Sequence, residues 1–317
     1  MPDAAWNFET ADATALGRAA ICVLLNAGSG SAKGAEKQTQ VSDAFARHGV
    51  MPEIRLIGND DQLETEVRRA AQSGFDVIVA GGGDGTISCV AGHLAGGNAK
   101  MGVIPLGTFN FVARGLGIPE DVDAAVEALL SGAARPMTVG LVNGRIFLNN
   151  ASLGIYPQIL KEREGTYKRW GRSRIAAHWS VLVTFLAFRA PVRMKVIVDG
   201  QTRRRKTPLA FIARSAFQLE HFGLDGAGDV RDGQFALFLA PDSTRWQLLG
   251  RALRLAGKGM NPQHDFELIC GEEIMIETSR ATQLIAMDGE RVRAQSPFRF
   301  RLLTDDLQVI APEGAPN

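Results

Sequence analysis

The chain has 317 residues, 45% of them hydrophobic, and a formal net charge of +1. This length suggests about two domains, and the apolar share excludes a wholly disordered chain. The near-neutral balance excludes the simplest kind of nucleic-acid binder, which needs a concentrated positive surface, so no nucleic-acid partner is expected.

Met1 to Gly17 lacks a basic segment followed by an apolar one, so no secretory signal is expected there. Ala20 to Leu25 is an apolar run of strand length, and the small-residue loop Asn26 to Ser31 follows it. Val41, Ala44, Phe45 and His48 recur at helical spacing within Ala35 to His48, and Gly49 is placed to end that helix. Glu53 to Ile57 reads as a strand. Leu63, Val67, Ala70 and Ala71 then mark a helix capped by Asn59 or Asp60. Val77 to Ala80 is a third strand that breaks into Gly81, Gly82, Gly83, Asp84 and Gly85, with Thr86 as the cap of a helix reaching about Ala95. Four glycines around one carboxylate, where a strand passes into a helix, let the backbone turn sharply and approach a phosphate closely. Met101 to Ile104 is a fourth strand leading into Pro105 to Asn110, where Thr108 is another N-cap candidate. Strict alternation of strands and helices predicts parallel strands with ligands at their carboxyl ends. The loops after Leu25, Ala80 and Ile104 should therefore converge on one edge.

Beyond the helix marked by Val122, Ala125, Val126, Leu129 and Leu130 the pattern changes. Asn143-Gly144 and Asp199-Gly200 are hairpin signals, and short strands are expected at Pro208 to Ala213, Gln234 to Leu239, Phe266 to Ile269, Ile274 to Glu277, Gln283 to Met287 and Phe298 to Leu303. Only Pro157 to Phe188, in part, and Thr244 to Gly257 look helical. The second half is thus a mainly antiparallel β domain, a sandwich or an open barrel. Domain limits of 18–140 and 141–303 follow, with the tail 304–317 free to return to the first. Ile175 to Phe188 is too short to span a bilayer. Six basic residues between Lys161 and Arg174 precede Trp179, Val181, Leu182, Phe185, Leu186 and Phe188, which reads either as an interfacial helix on an anionic leaflet or as a core helix with a solvated flank. Arg203 to Lys206 reads as an exposed hairpin turn. Cys22, Cys89 and Cys270 form no CxxC and have no histidine at metal-ligand spacing, so they read as buried thiols in a reducing cytosol.

Gly81 to Thr86, followed one strand later by Leu106, Gly107, Thr108, Phe109 and Asn110, resembles the catalytic domain of the diacylglycerol kinase family, which includes sphingosine and ceramide kinases and soluble bacterial lipid kinases; the more distant NAD kinases share the first motif. Asn26 to Gly30 is similar to the family's Asn-Pro-x-Ser-Gly loop, with Ala27 at the proline position. Leu148 to Gly154 looks like the opening of the second domain, Asp229 to Gly233 like a structural magnesium loop, and Asp288, Gly289, Glu290 like the late Asp-Gly-Glu. The resemblance implies an α/β N-terminal domain with a parallel sheet, of the NAD kinase/diacylglycerol kinase type, plus a mainly antiparallel β-sandwich domain.

The same resemblance implies an ATP- and Mg2+-dependent lipid kinase acting on diacylglycerol, ceramide or a related sphingoid. Asn26, Gly28, Ser29, Gly30, Gly81, Gly82, Gly83, Asp84, Gly85, Thr86, Gly107, Thr108 and Asn110 would line the nucleotide site. Asp84 would orient that site or hold the metal through water; by itself it also suits a helix start. Glu290 would be the general base, although Asp-Gly alone marks an ordinary surface turn. Asp232, with main-chain oxygens near Asp229 and Gln234, would hold a structural ion, against a solvated turn before Phe235. The implied partners are a membrane lipid, an anionic membrane surface and a second copy of the chain, and the implied location is cytoplasmic, on the inner face of the membrane. One departure stands out: Phe111 occupies the position where many members carry aspartate. Two other readings follow, a soluble NAD-kinase-like enzyme from the shared glycine motif, and a non-catalytic nucleotide- or lipid-binding protein from Phe111.

Overall fold

Ile21 to Leu25 are all buried, as a continuous apolar run demands when both faces of its sheet are covered. The structure is a computed structural model that describes residues 20–26, 31–58, 60–154, 191–242 and 266–314. It divides into two compact units, Met1–Met137 with Asp306–Pro316, and Thr138–Asp305.

In the first unit β1 (Ile21–Asn26), β2 (Glu53–Ile57), β3 (Val77–Gly82) and β4 (Lys100–Pro105) are joined by α1 (Ser31–Arg47), α2 (Asp60–Gln72) and α3 (Asp84–Leu94). With β5 (Ala133–Pro136) and β18 (Gln308–Ala311) they form one sheet of order β2-β1-β3-β4-β18-β5. Every pair from β2 to β18 is parallel, and β5 runs antiparallel to β18. Phe45 of α1 and Val126 and Leu129 of α5 (Val122–Ser131) join Val23, Leu25, Val77 and Val79 in one core. The alternate residues Cys22, Leu24, Ile78 and Ala80 are equally buried, and α2 and α3 pack together and against β1 and β3. The strand order reverses between β1 and β3, which puts a topological switch point at their carboxyl ends.

The second unit contains two antiparallel sheets. One has the order β10 (Gln201–Thr207), β9 (Val192–Val198), β14 (Ile274–Thr278), β17 (Phe298–Leu303), β6 (Val139–Val142), β7 (Arg145–Phe147). The other runs β13 (Glu267–Gly271), β12 (Phe235–Leu239), β11 (Leu209–Ala213), β8 (Asn150–Gly154), β15 (Thr282–Met287), β16 (Glu290–Gln295). Val196, Ile276 and Phe298 of the first sheet and Leu153, Ile212 and Leu237 of the second share one core, and the Phe147 ring meets Phe300 at 6.2 Å and Phe235 at 6.0 Å. Two sheets facing across one core make a sandwich rather than an open barrel.

Three hairpins use one device. Asn143-Gly144, Asp199-Gly200 and Asp288-Gly289 all have positive φ at both residues, the geometry of a type I′ turn. In each, the Asn or Asp side chain accepts main-chain N–H bonds from a neighbouring segment: Asn143 from Arg299, Asp199 from Glu272 and Glu273, and Asp288 from Leu148, Asn149 and Asn150.

Some expectations change. Arg203 to Lys206 is not a turn but most of β10; the turn lies just before it at Asp199-Gly200. Two further helices occur in the second unit, α6 (Ala216–His221) and α7 (Ala227–Arg231). They are too short to show helical periodicity, and they cover Ala236 and Phe238 of β12 with Ala216, Leu219 and Val230. Of the three thiols only Cys22 is fully buried, Cys89 and Cys270 being half-buried; burial pushes Cys22 up to about 11. Met1 to Gly17, the basic-aromatic stretch Lys161 to Phe188 and the helix expected at Thr244 to Gly257 lie outside the described residues.

Candidate active site

The glycine motif is tighter than the sequence suggests. β3 runs to Gly82 and α3 begins at Asp84, so Gly83 alone separates strand from helix. None of Gly81, Gly82, Gly83 and Gly85 has a positive φ, so a sharp left-handed turn is not their role. Gly81, Gly82 and Gly83 are needed for space. A Cβ on Gly81 would lie 2.9 Å from Leu25 Cδ1, and one on Gly82 would lie 2.5 Å from Thr86 Oγ1. Thr86 is not the cap of the helix but its third residue, buried, and its hydroxyl accepts from Asn26 Nδ2 at 3.1 Å, tying the end of β1 to α3. Gly83 caps α3 with no side-chain bond. The first N–H groups of the helix therefore lack intrahelical acceptors, at the positive end of its dipole.

The second loop rests on the first. A Cβ on Gly107 would lie 2.6 Å from Gly83 Cα and 2.8 Å from Asn110 Oδ1. Asn110 is buried at 3% exposure and takes the left-handed conformation, φ 50°, which asparagine tolerates. Its Oδ1 accepts from Gly107 N at 3.0 Å, and its Nδ2 donates to Gly107 O at 3.2 Å and to Glu120 Oε1 at 3.0 Å. Asn110 thus shapes the loop, while Gly107, Thr108 and Phe109 are exposed. Thr108 does not cap a helix; α4 (Phe111–Gly115) starts three residues later, with Asn110 at its N-cap position. Gly107→Ala must push two backbones apart. Displacements of about 1 Å can cost about 100-fold in turnover, and overpacking costs about 1–3 kcal/mol, so a loss of that order in kcat/KM with a lowered melting temperature is the expected result.

Asp84 Oδ1 accepts from Val112 N at 3.0 Å, so a carboxylate on α3 satisfies a first-turn amide of α4. Phe111 is 8% exposed and its ring stacks on Phe109 at 5.5 Å and 2°. Where the family pattern carries aspartate, this chain has an aromatic pair, and Asp84 of the glycine motif is the carboxylate bonded to the start of α4.

In the second unit Glu290 opens β16 opposite Met287 and is exposed. The Asp288 carboxylate accepts from the N–H groups of Leu148 (2.7 Å), Asn149 (2.8 Å) and Asn150 (3.0 Å), and its own N–H donates to Asn150 O at 2.9 Å. The Asp-Gly-Glu segment is therefore both a hairpin turn and a fixture on the start of β8. Behind it, Asn149 O accepts from the N–H groups of Arg214 (2.8 Å) and Ser215 (3.2 Å). Arg214 Nη2 donates to Thr138 O at 3.0 Å, and burial brings its guanidinium down to about 10. Asn149 Oδ1, Ser152 Oγ and Arg214 Nε are buried without hydrogen-bond partners among the described residues. Sequence reasoning singled out neither Arg214 nor Glu120; Arg214 bonds Thr138, 76 residues away, Glu120 bonds Asn110 across a loop and helix, and no local motif marks either.

Asp229 lies in α7 and Asp232 follows as its C-cap, both exposed, so this stretch is a short helix and not an open turn. Asp229 O already accepts from Gln234 N at 3.0 Å, and the Asp229 carboxylate meets the Cys270 thiol, which is raised to about 11, first by burial. Among the described residues no group of three or more His, Cys, Asp or Glu side chains comes together to hold a metal. Gly28, Ser29 and Gly30 lie outside the described residues.

Residues 20–142 match the family model of the diacylglycerol kinase catalytic domain. Proteins named diacylglycerol kinase from Staphylococcus aureus strains RF122 / ET3-1 and JH9 are each 29% identical over 263 residues, covering 81% of this chain and 81% of theirs. A crystal structure of a diacylglycerol kinase from Bacillus anthracis str. Sterne shares the fold, with a TM-score of 0.67 at 19% identity over 93% of this chain and 97% of that one.

Proposed function

We propose that this chain, whose residues 20–142 match the diacylglycerol kinase catalytic domain, transfers the γ-phosphate of ATP to the free hydroxyl of a membrane lipid, diacylglycerol first among the candidates and ceramide or a sphingoid second. The observation that carries this reading is the contact of Gly83 with Gly107. It sets the open start of α3 beside an exposed Gly-Thr loop, at the carboxyl ends of β3 and β4. Phosphoryl transfer depends on positioning and charge stabilisation more than on covalent chemistry, and main-chain N–H groups so placed supply both. The names of the relatives favour diacylglycerol.

In this reading Asn26, Gly81 to Thr86, Gly107, Thr108 and Asn110 form and shape the nucleotide site, together with Gly28, Ser29 and Gly30. Glu290 takes the proton of the attacking hydroxyl, held by the Asp288 turn. Asp84 offers oxygen donors of the kind magnesium takes through water, and the ion would spread the charge on the transferring phosphoryl group. A structural ion at Asp229, Asp232 and Gln234 fits less well, since the Asp229 carbonyl and carboxylate are already engaged. Among the described residues no helix is long and apolar enough to cross a membrane, and the enzyme is proposed to work peripherally at the inner leaflet. Self-association is read by light scattering.

Radiolabelled ATP with a mixed bacterial lipid extract tests the reading. Label in a chloroform-extractable product comigrating with phosphatidic acid is the expected outcome, a phosphorylated ceramide would change the substrate, and label in a soluble dinucleotide or in nothing would sink the lipid-kinase reading. Asp84→Asn is expected to lower kcat/KM about 10- to 100-fold and raise the magnesium needed for half-maximal rate, in line with the loss of one metal-orienting carboxylate. Unchanged magnesium dependence removes Asp84 from that role.

A further inference from the structure

The outer face of the sheet that begins with β10 is a cationic platform. Cross-strand neighbours share a face, and the register places Lys206 beside Arg193, and Arg204 beside Lys195 and Glu277. The same face carries Ile197, Met275 and Arg299 in one row and Arg301 beside Leu141 in the next. The alternate residues Met194, Val196, Ile276, Phe298 and Phe300 point into the sandwich core.

Six cationic side chains from β9, β10 and β17 thus stand on one face of the sheet. Lys195 pairs with Glu277 at 3.1 Å and Lys206 with Asp242 at 3.0 Å. Arg193, Arg204, Arg299 and Arg301 are exposed and have no carboxylate partner among the described residues. In a chain of net charge +1, this is a local concentration. An open depression of about 490 Å³ is lined by Arg193 and Lys195 of β9, Arg204 and Lys206 of β10, and Glu277 and Thr278 of β14.

The bland account is that charged residues on an edge strand prevent sheet-to-sheet aggregation. It covers β10. It does not cover Arg299 and Arg301, which lie on β17, an interior strand, fourth from the β10 edge and third from the β7 edge, roughly 14 Å and 10 Å from them at the usual strand spacing. There the arginines have no carboxylate partner among the described residues and are interleaved with Ile197, Met275 and Leu141, apolar side chains that suit the headgroup boundary of a bilayer.

We propose that this face docks on the anionic surface of a phospholipid bilayer. It deepens the reading of the chain as a lipid kinase, on which its purpose rests, by naming the surface through which the enzyme reaches its substrate. The charge is complementary to anionic headgroups, whose potential decays within a Debye length, so the contact is salt-sensitive.

The test is cosedimentation of the full chain, without nucleotide, with vesicles of phosphatidylcholine alone or with about one third phosphatidylglycerol. Each basic residue near such a surface is worth about fivefold in partitioning. The expected results are binding that requires phosphatidylglycerol, weakens in high salt, and falls at least about 100-fold in a variant combining Arg193→Ala, Arg204→Ala, Arg299→Ala and Arg301→Ala. Circular dichroism melting of that variant should match the parent, because these side chains make no ion pair among the described residues. Phosphorylation of a short-chain diacylglycerol in solution should also be retained, while phosphorylation in vesicles falls. Binding equal on both vesicle types, or unaltered in the variant, overturns the proposal, as does preferential capture of duplex DNA over vesicles. Vesicle binding without lipid phosphorylation would leave the docking surface standing and remove the kinase reading instead.

Discussion

Glu290→Gln is expected to lower turnover by about 100- to 10,000-fold, the usual contribution of a positioned general base, with nucleotide affinity held within about threefold. Glutamine keeps the size and the amide oxygen of the side chain but cannot take up a proton at neutral pH. Glu290 is exposed at the first position of β16, so the substitution removes no buried packing and the fold should be kept. Single-turnover measurement at saturating ATP separates the chemical step from binding. A pH–rate profile that loses its acidic limb in the variant would identify the carboxylate directly. Turnover within tenfold of the parent would return Glu290 to the status of a surface turn residue.

Asp288→Ala should act on stability and turnover together. Three main-chain N–H groups, of Leu148, Asn149 and Asn150, would lose their acceptor, and Leu148, Asn149 and Asn150 are all buried. Each buried unpaired donor costs about 1–3 kcal/mol, so a destabilisation of about 3 kcal/mol or more is expected, and a melting transition lower by roughly 6–12 °C. Alanine also fits poorly at Asp288, where φ is 47°. Turnover should fall about 100-fold as Glu290 shifts. Asp288→Asn keeps a residue suited to positive φ and one acceptor oxygen, and should recover much of the stability. Hydrogen exchange at the amides of residues 148–150 reads the lost bonds directly; unchanged protection would show that the turn is held by something else.

Much of the first unit is legible in local pattern. The continuous apolar runs at β1, β3 and β4 mark strands buried on both faces, and the 3.6-residue spacing of Leu63, Val67 and Ala70 marks α2. β18 is different: Val309, Ile310 and Ala311 are buried between β4 and β5, but so short a run gives no periodicity, and its place depends on partners some 200 and 170 residues earlier in the chain. In the second unit Asn143-Gly144 and Asp199-Gly200 announce their hairpins, because only a few residue types accept positive φ at both turn positions. Their side-chain bonds to Arg299, Glu272 and Glu273 could not be read locally.

The sequence by itself determined which residues could serve a phosphate site, since small loops after buried strands carry their own backbone logic. It also determined the order of strands and helices in the first unit, through hydrophobic period. Tertiary structure decided why the glycines are there. Gly82 makes room for Thr86, and Gly83 and Gly107 for each other, which is a matter of close approach between segments and not of φ. It likewise decided that Asn110 braces a loop, that Asp84 binds the start of α4, that Phe111 stacks rather than leaving a vacant acid position, and that basic residues from β9, β10 and β17 share one face. Each of these depends on distances between residues remote in sequence, and no local spacing encodes such distances.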